Sequence, residues 1–403
     1  MFASVITLSA QNLNEGIKKV IQESKGADNF GKSVSVYGNY AVVGAWTEDE
    51  KGPEAGAAYL FHRADEGKDD WALIKKLTAS DGAAFNNFGT SVFIYDNQVA
   101  VSAPGNDDFT GAVYIFQKNQ GGTDNWGEMK KVVSHDGMDG DYFGNSIAMT
   151  DQYLLIGAYG NDQNGNKSGA AYLFKKEKNN WSELKKLSAE NSGTNDQFGV
   201  SVALNNERAV IGADNDNGVG SITIFAKEEG GENNWGEQVQ IFPSDRQQKS
   251  RFGRSVAIHG NYMAVGAPRT DGSSGTVYLF KQNFGGKNNW GELKKMKALD
   301  GDVNDQFGRH LSLSENCLIV GSEGHFMKAG AVYMYKKEKG GTDNWGNSEK
   351  LMANDAAPGD LFGSSVAIFG DDVFEKTLDC TYQCCCKNRR NYLLILRKVW
   401  ILA

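Results

Sequence analysis

The segment Asp196-Gln-Phe-Gly-Val-Ser-Val-Ala-Leu204, followed after a short turn by Ala209-Val-Ile-Gly-Ala213, decides the fold, because close copies of it recur almost to the C-terminus. The Phe-Gly pairs begin at Phe30, Phe88, Phe143, Phe198, Phe252, Phe307 and Phe362, at steps of 58, 55, 55, 54, 55 and 55 residues. Seven copies with Gly and aromatic residues at fixed phase mark a repeat architecture. Each copy divides into four short strands at its turn residues. In the second, Ser91-Val-Phe-Ile94 is β-branched and apolar, Asp96-Asn97 makes a tight turn, and Val99-Ala-Val-Ser102 returns. Gly111-Ala-Val-Tyr-Ile-Phe116 is the third strand, and a polar, Gly-containing loop leads to the fourth, Trp126-Gly-Glu-Met-Lys-Lys-Val-Val133. Seven four-stranded antiparallel sheets in series predict an all-β chain, a seven-bladed β-propeller.

With these residues in view, the chain resembles the FG-GAP repeat family, the propeller of integrin alpha subunits and related adhesion proteins. The resemblance rests on the seven Phe-Gly pairs together with Gly44-Ala45, Ala103-Pro104, Gly157-Ala158, Gly212-Ala213, Gly266-Ala267-Pro268 and a degenerate Gly321-Ser322, and it covers about residues 15 to 370. It implies a non-enzymatic module that meets its partner on one face of the ring. One departure is sharp. Integrin-type repeats often carry an Asp-x-Asp-x-Asp-Gly calcium loop between the Phe-Gly and Gly-Ala-Pro elements. Here that interval is a short turn, as at Tyr37-Gly-Asn39, Asp151-Gln152 and Asn205-Asn-Glu207, so the family's ligands are missing from their usual place. Asp162-x-Asn164-x-Asn166 and Asp214-x-Asp216 are the remaining candidates for calcium. Lys167 sits where an EF-hand loop needs Gly, and neither run has the closing Glu.

Composition sets limits. The 403 residues include 49 Gly, 5 Pro and 11% aromatics, which suits one large domain rich in strands and turns. A net charge of -8 leaves no basic stripe for phosphates, so nucleic acid is not an expected partner. Lys75, Lys130, Lys185 and Lys294 share one phase of the fourth strand, the expected outer edge of each blade, where Lys blocks edge-to-edge pairing. Gly26 to Ser33 matches a phosphate-binding loop, but that loop needs a following helix and Ser33-Val-Ser-Val36 alternates as a strand. The other copies place Thr90, Asn145, Val200, Arg254, Arg309 and Ser364 at the Lys32 phase, which marks a variable position.

The loops between second and third strands differ most from copy to copy, and in a propeller they emerge together beside the blade connections. The ligand-face candidates lie there: Trp46, Asp49, Asp107, Asp108, Tyr159, Asp162, Asp214, Asp216, Arg269, Asp271 and His325. They fit a protein ligand from the matrix or the cell surface; tolerance of surface loops to change is the plainer reading. A second function class is a carbohydrate-binding lectin using Trp71, Trp126, Trp181, Trp235, Trp290 and Trp345, which open the fourth strands. Packing of these indoles is the favoured alternative, and their exposure decides between the two. No catalytic residue is expected: the five His residues fall at different phases, and no Gly-x-Ser-x-Gly element is present. A third reading is a propeller whose catalytic domain lies in a partner chain. His310, which replaces the Ser found at its phase in the other copies, is expected in the core or lining the channel.

Three regions follow: an N-terminal extension over 1–14, the propeller over 15–370, and a divergent tail over 371–403. Glu15-Gly-Ile-Lys-Lys-Val-Ile-Gln22 copies the fourth-strand pattern, so the N-terminus is expected to complete the last blade and close the ring. In the tail, Val373 to Asp379 replaces the usual Gly-Ala strand, and Cys380, Cys384, Cys385 and Cys386 precede a basic run and an apolar end. Tyr392 to Leu396 is expected to supply a missing strand of the seventh blade; the alternative is a palmitoylated membrane anchor. Met1 to Ala10 lacks the basic start of a signal peptide. Resemblance to adhesion proteins favours an extracellular or cell-surface location, with a cytoplasmic one as the alternative.

Overall fold

The computed structural model describes residues 17–19, 28–63, 71–178, 180–232, 234–353, 355–370, 372–379 and 390–396. The chain is a β-propeller of four-stranded antiparallel blades. The first blade runs Phe30–Tyr37, Tyr40–Ala45, Ala57–Arg63 and Trp71–Leu77, each strand paired with the next. Five further blades of consecutive strands span 92–132, 146–187, 198–241, 255–296 and 310–351. The sequence predicts a seven-bladed ring with a divergent last blade, and here the structure corrects it: six blades are regular, not seven. The seventh repeat has no Gly-Ala strand to follow Val366–Phe369. That strand pairs instead with Asp372–Asp379, which pairs with Arg390–Leu396, which pairs with Ile17–Lys19. Val366 packs with the sixth blade and Ala367 with the first, so this strand bridges the two. The extension over 1–14, the tail cysteines and the phosphate-loop residues Gly26 and Ala27 lie outside the described residues.

The repeat residues meet at the seams between blades. Gly44 can carry no Cβ, because the Gly89 carbonyl oxygen of the next blade lies 2.0 Å from where one would sit. The same approach recurs from Gly157 to Gly199 (2.0 Å), Gly212 to Gly253 (2.1 Å), Gly266 to Gly308 (1.9 Å) and Gly321 to Gly363 (2.0 Å). The Phe-Gly glycines are needed for a different reason: all seven have φ between 83° and 96°, a region closed to most side chains. The Ser two residues further on locks the approach. Ser33 Oγ donates to the Gly89 carbonyl (2.9 Å), Ser146 to Gly199 (2.9 Å), Ser201 to Gly253 (2.7 Å) and Ser255 to Gly308 (2.7 Å). In the six regular blades the Phe of the pair sits edge-on against an aromatic of the third strand, as Phe143 does on Tyr172 at 5.4 Å. A fully buried Phe stabilises the fold by about 2–3 kcal/mol through area removed from water.

The six fourth-strand tryptophans are 0–4% exposed. They are packing residues, and the lectin reading, which needed open indole faces, is not supported. The lysines of the same strand also have a role beyond guarding an edge. The first of each pair reaches the next blade: Lys75 Nζ donates to Asn125 (2.5 Å), Lys130 to the Trp181 carbonyl (2.6 Å), Lys185 to the Trp235 carbonyl (2.6 Å) and Lys294 to the Asn344 carbonyl (2.6 Å). The second lysine joins a third-strand Tyr on one Asp of the preceding connection. Tyr114 and Lys131 meet Asp81 at 2.6 and 2.7 Å; Tyr172 and Lys186 both meet Asp136 at 2.7 Å. Tyr278 and Lys295 meet Asp245 at 2.8 and 2.7 Å, and Tyr333 and Lys350 meet Asp300. Burial pulls these four carboxyls upward, but the Lys and Tyr hydrogen bonds outweigh it and hold them below the usual carboxylate range. Burial and the Asp partner together push the four tyrosines up. The fourth blade has Asn191, Thr223 and Gln240 at these three phases, so it loses the whole clasp at once.

Candidate functional site

Second-to-third-strand loops and blade connections form one continuous rim. The residue before each repeated Phe is left-handed in all seven copies, with φ from 50° at Asn29 to 60° at Gln197. Its N–H reaches the loop of the preceding blade: Asn87 donates to the Glu54 carbonyl (3.0 Å), Tyr142 to Phe109 (2.8 Å), Gln197 to Lys167 (3.0 Å), Gln306 to Ser273 (2.8 Å) and Leu361 to Lys328 (2.8 Å). The rim displays large apolar side chains to water: Phe85, Phe109, Met138, Leu299, Val303, Phe326 and Met327 are 41–87% exposed. Phe85, Phe109, Phe326 and Met327 are themselves left-handed, at φ 64°, 66°, 47° and 56°. Such backbone costs about 1–3 kcal/mol per residue and persists where the surroundings over-determine it, commonly at functional surfaces.

Inside this rim, the first strands of the blades open into the mouth of the central channel. Two repeat phases line it: the residue after Phe-Gly and the residue after Gly-Ala. The first phase carries Lys32, Thr90, Asn145, Val200, Arg254, Arg309 and Ser364; the second carries Trp46, Pro104, Tyr159, Asp214, Pro268 and Glu323. Lys32 Nζ stands 5.3 Å from the centre of the Trp46 ring. Arg254 pairs with Asp214 at 3.4 Å, Arg251 with the same carboxyl at 3.0 Å, and Arg309 with Glu323 at 2.7 Å. Tyr159 stacks on Tyr142 (5.0 Å, 14°), which contacts Phe109 (5.4 Å), so aromatic rings run from the rim to the mouth. At the far ends of the first strands, Tyr37 contacts Tyr95 and Phe369, each at 4.7 Å.

All of the expected ligand-face residues lie on this side, but they do not form one cluster. Trp46, Tyr159 and Asp214 line the mouth, and burial raises the Tyr159 pKa, with neighbouring Tyr142 adding to it. Asp49, Asp107, Asp108, Asp162, Arg269 and Asp271 are exposed on the outer rim. Asp49 and Asp162 accept backbone N–H groups of their own loops, from Glu54 (2.8 Å) and Lys167 (2.6 Å), and Asp271 pairs with Lys297. Asp216 is buried, and burial raises its pKa against the pull of the hydrogen bonds it accepts, from Ser221 (2.6 Å) among them; Gln240 also donates to it (2.8 Å).

His325 occupies the same repeat phase as Asp216. Its Nδ1 is 2.7 Å from Asp305, and its Nε2 is 2.7 Å from Lys350 Nζ. Lys76 with Glu48 (2.9 Å) and Lys186 with Asn161 (3.2 Å) repeat that latch, so the histidine ties its loop to the fourth strand. An open cleft of about 780 Å³ lies beside it, lined by Asp302 to Gln306 and Gly324 to Lys328. As for metal, Asn164 donates to Ser192 (2.9 Å), Asn166 is exposed, and Asp214 faces two arginines. Among the described residues no three His, Cys, Asp or Glu side chains are grouped to share an ion.

Sequence reasoning missed the cations of the mouth. Lys32, Arg254 and Arg309 had been aligned as one variable phase, and the missing step was that the first strand is innermost, so that variation faces the axis.

No curated protein matches the chain in sequence. Among solved structures, two candidate 6-phosphogluconolactonases share the fold. The one from Bacteroides uniformis aligns with a TM-score of 0.55 at 11% identity, over 80% of this chain and 85% of that one. The one from Bacteroides fragilis aligns at 0.53 and 11%, over 78% and 82%. At such identity the likeness concerns the fold alone. The FG-GAP repeat pattern matches residues 22–61, 71–116, 126–174, 181–225, 235–280, 290–335 and 345–374. The second to sixth matches each start at or beside a fourth strand and run into the third strand of the next blade, and the last starts at the sixth blade's fourth strand and ends in Asp372–Asp379. The chain belongs to the FG-GAP repeat family.

Proposed function

We propose that the protein is a non-enzymatic binding module for a protein partner, which it engages with the loop rim. The observation that carries this reading is the display of Phe85, Phe109, Phe326 and Met327, exposed and in left-handed backbone, on a ring whose seams are otherwise fully packed. Exposed apolar anchors on a rigid support are what a protein interface uses for most of its affinity. The composite sheet serves as the seventh blade of the ring, with the N-terminal strand at its outer edge. Kinship with adhesion propellers supports a cell-surface or extracellular setting for this activity, with a matrix or membrane protein as the partner.

The test is binding of the purified chain to intact cells and to immobilised matrix proteins. Phe326→Ser combined with Met327→Ser should weaken saturable binding by about tenfold or more, given typical costs of about 2 kcal/mol at such anchors, with melting unchanged. Full binding by the double variant, and by a second variant with the 159–168 loop cut to a Gly-Ser turn, would overturn the assignment to this face.

A further inference from the structure

We propose that the loop-face mouth of the channel binds an oxyanion, a phosphate or carboxylate group on a small ligand, held by Lys32 with Arg254 and Arg309. These three cations come from the first, fifth and sixth blades, yet occupy one repeat phase at the start of the innermost strands. Elsewhere in the molecule, lysines at a fixed phase face a matched acceptor. Here the matching is incomplete. Arg309 has Glu323 at 2.7 Å, and Arg254 and Arg251 share the single carboxyl of Asp214 at 3.4 and 3.0 Å. Lys32 has the face of Trp46 where the sixth blade has Glu323. Ser364, at the same phase on the sheet between Arg309 and Lys32, has a buried hydroxyl with no hydrogen-bond partner among the described residues.

The surroundings of Lys32 agree with a concave site. Its surface is open to solvent, but desolvation by the surrounding protein lowers its pKa, and the positive charges of Arg309 and Arg254 lower it further against the pull of Glu323. A bound oxyanion offsets both effects by supplying an acceptor for Lys32 beside the two arginines. The neighbouring Trp46 and the Tyr159–Tyr142 stack offer flat surfaces for the rest of a small ligand. The cations of this site lie apart from the outer apolar rim, so the Lys32 and Arg309 variants test it independently of the partner-binding reading.

The experiment is calorimetric titration of the full chain with inorganic phosphate and, separately, with citrate, at constant ionic strength set by chloride. Saturable heat with either ion, at least tenfold weaker affinity in both Lys32→Met and Arg309→Gln, and retention in Lys32→Arg are expected. A preference between the two ions tells phosphate from carboxylate. No saturation in the tens of millimolar range, or equal binding by wild type and both neutral variants with melting unchanged, overturns the proposal. If Arg309→Gln fails to fold, the solvent-exposed Lys32 variants decide alone.

Discussion

The seams between blades and the mouth of the channel are both built from repeated phases, and both bring cations and carboxylates together. They differ in what the repetition preserves. At a seam the same residue types recur and meet partners of fixed geometry: Lys, Asp and Tyr in four blades, and the loss of all three together in the fourth. At the mouth the phase recurs while the residue changes, from Lys32 to Thr90, Val200 and Arg254, and the charges are only partly matched. A position that keeps its residue type through the copies is doing something each blade needs. A position that varies at constant backbone geometry is free to serve the ring as a whole.

If that distinction is right, the seams should be intolerant in proportion to how closely the backbones approach. Gly212→Ala places a methyl where the Gly253 carbonyl oxygen lies 2.1 Å away, and neither backbone can retreat without breaking the Ser201 hydrogen bond. It should cost about 3 kcal/mol or more, seen as a large fall in the denaturant midpoint. A melt like that of wild type would mean that the seam is looser than the described contacts. Asp136→Ala comes next, since it strips Lys186 and Tyr172 of their shared acceptor; about 1–2 kcal/mol is expected, discounted because the Asp side chain is 33% exposed. Tyr172→Phe, which leaves the ion pair, should cost less.

The clasps also predict a pH dependence. The carboxyls of Asp81, Asp136, Asp245 and Asp300 are held below their ordinary values, so their contribution is fully present above about pH 4 and is lost as pH falls through the lowered folded values. Asp141, Asp196 and Asp216 have the opposite sign, because burial raises them; their contribution is lost as pH rises through their folded values. The stability gap between wild type and Asp136→Asn, measured by urea unfolding, should therefore narrow as pH drops below about 4. A gap independent of pH would remove the charge from the explanation.

The fold was legible because its determinants are local and repeated. Phe-Gly and Gly-Ala pairs mark where chain meets chain, and the period exposes them without any knowledge of three-dimensional contacts. In the seventh repeat the sequence shows that a Gly-Ala strand is missing at Val373 to Asp379 and points to the N-terminal strand and Tyr392 to Leu396 as its replacements; the register between 17–19 and 390–396, which joins residues far apart in sequence, is what no repeat aligns. The Trp residues illustrate a further limit, since a regular aromatic phase is equally compatible with display and with packing until burial is known. The rim's left-handed backbone had a sequence signal only where Asn or Asp occupies it, as at Asn29, Asn87, Asp107 and Asp108. Tyr142, Arg251 and Leu361 are not residues that choose positive φ; the hydrogen bonds of the rim impose it on them.

The smallest effect gives the sharpest comparison, because Lys32 and Ser33 are neighbours on one strand and belong to different regions. Ser33 Oγ donates across the seam to the Gly89 carbonyl at 2.9 Å, so Ser33→Ala should lower stability by about 1 kcal/mol and leave oxyanion binding intact. Lys32→Met removes a cation that desolvation and two arginines already disfavour in the folded state. Its stability should hold within about 0.5 kcal/mol or rise slightly, while added phosphate should stabilise wild type and leave this variant unmoved. If instead Lys32→Met destabilises as much as Ser33→Ala does, the mouth is another seam, and the contrast between recurring and varying phases fails at the place where it matters most.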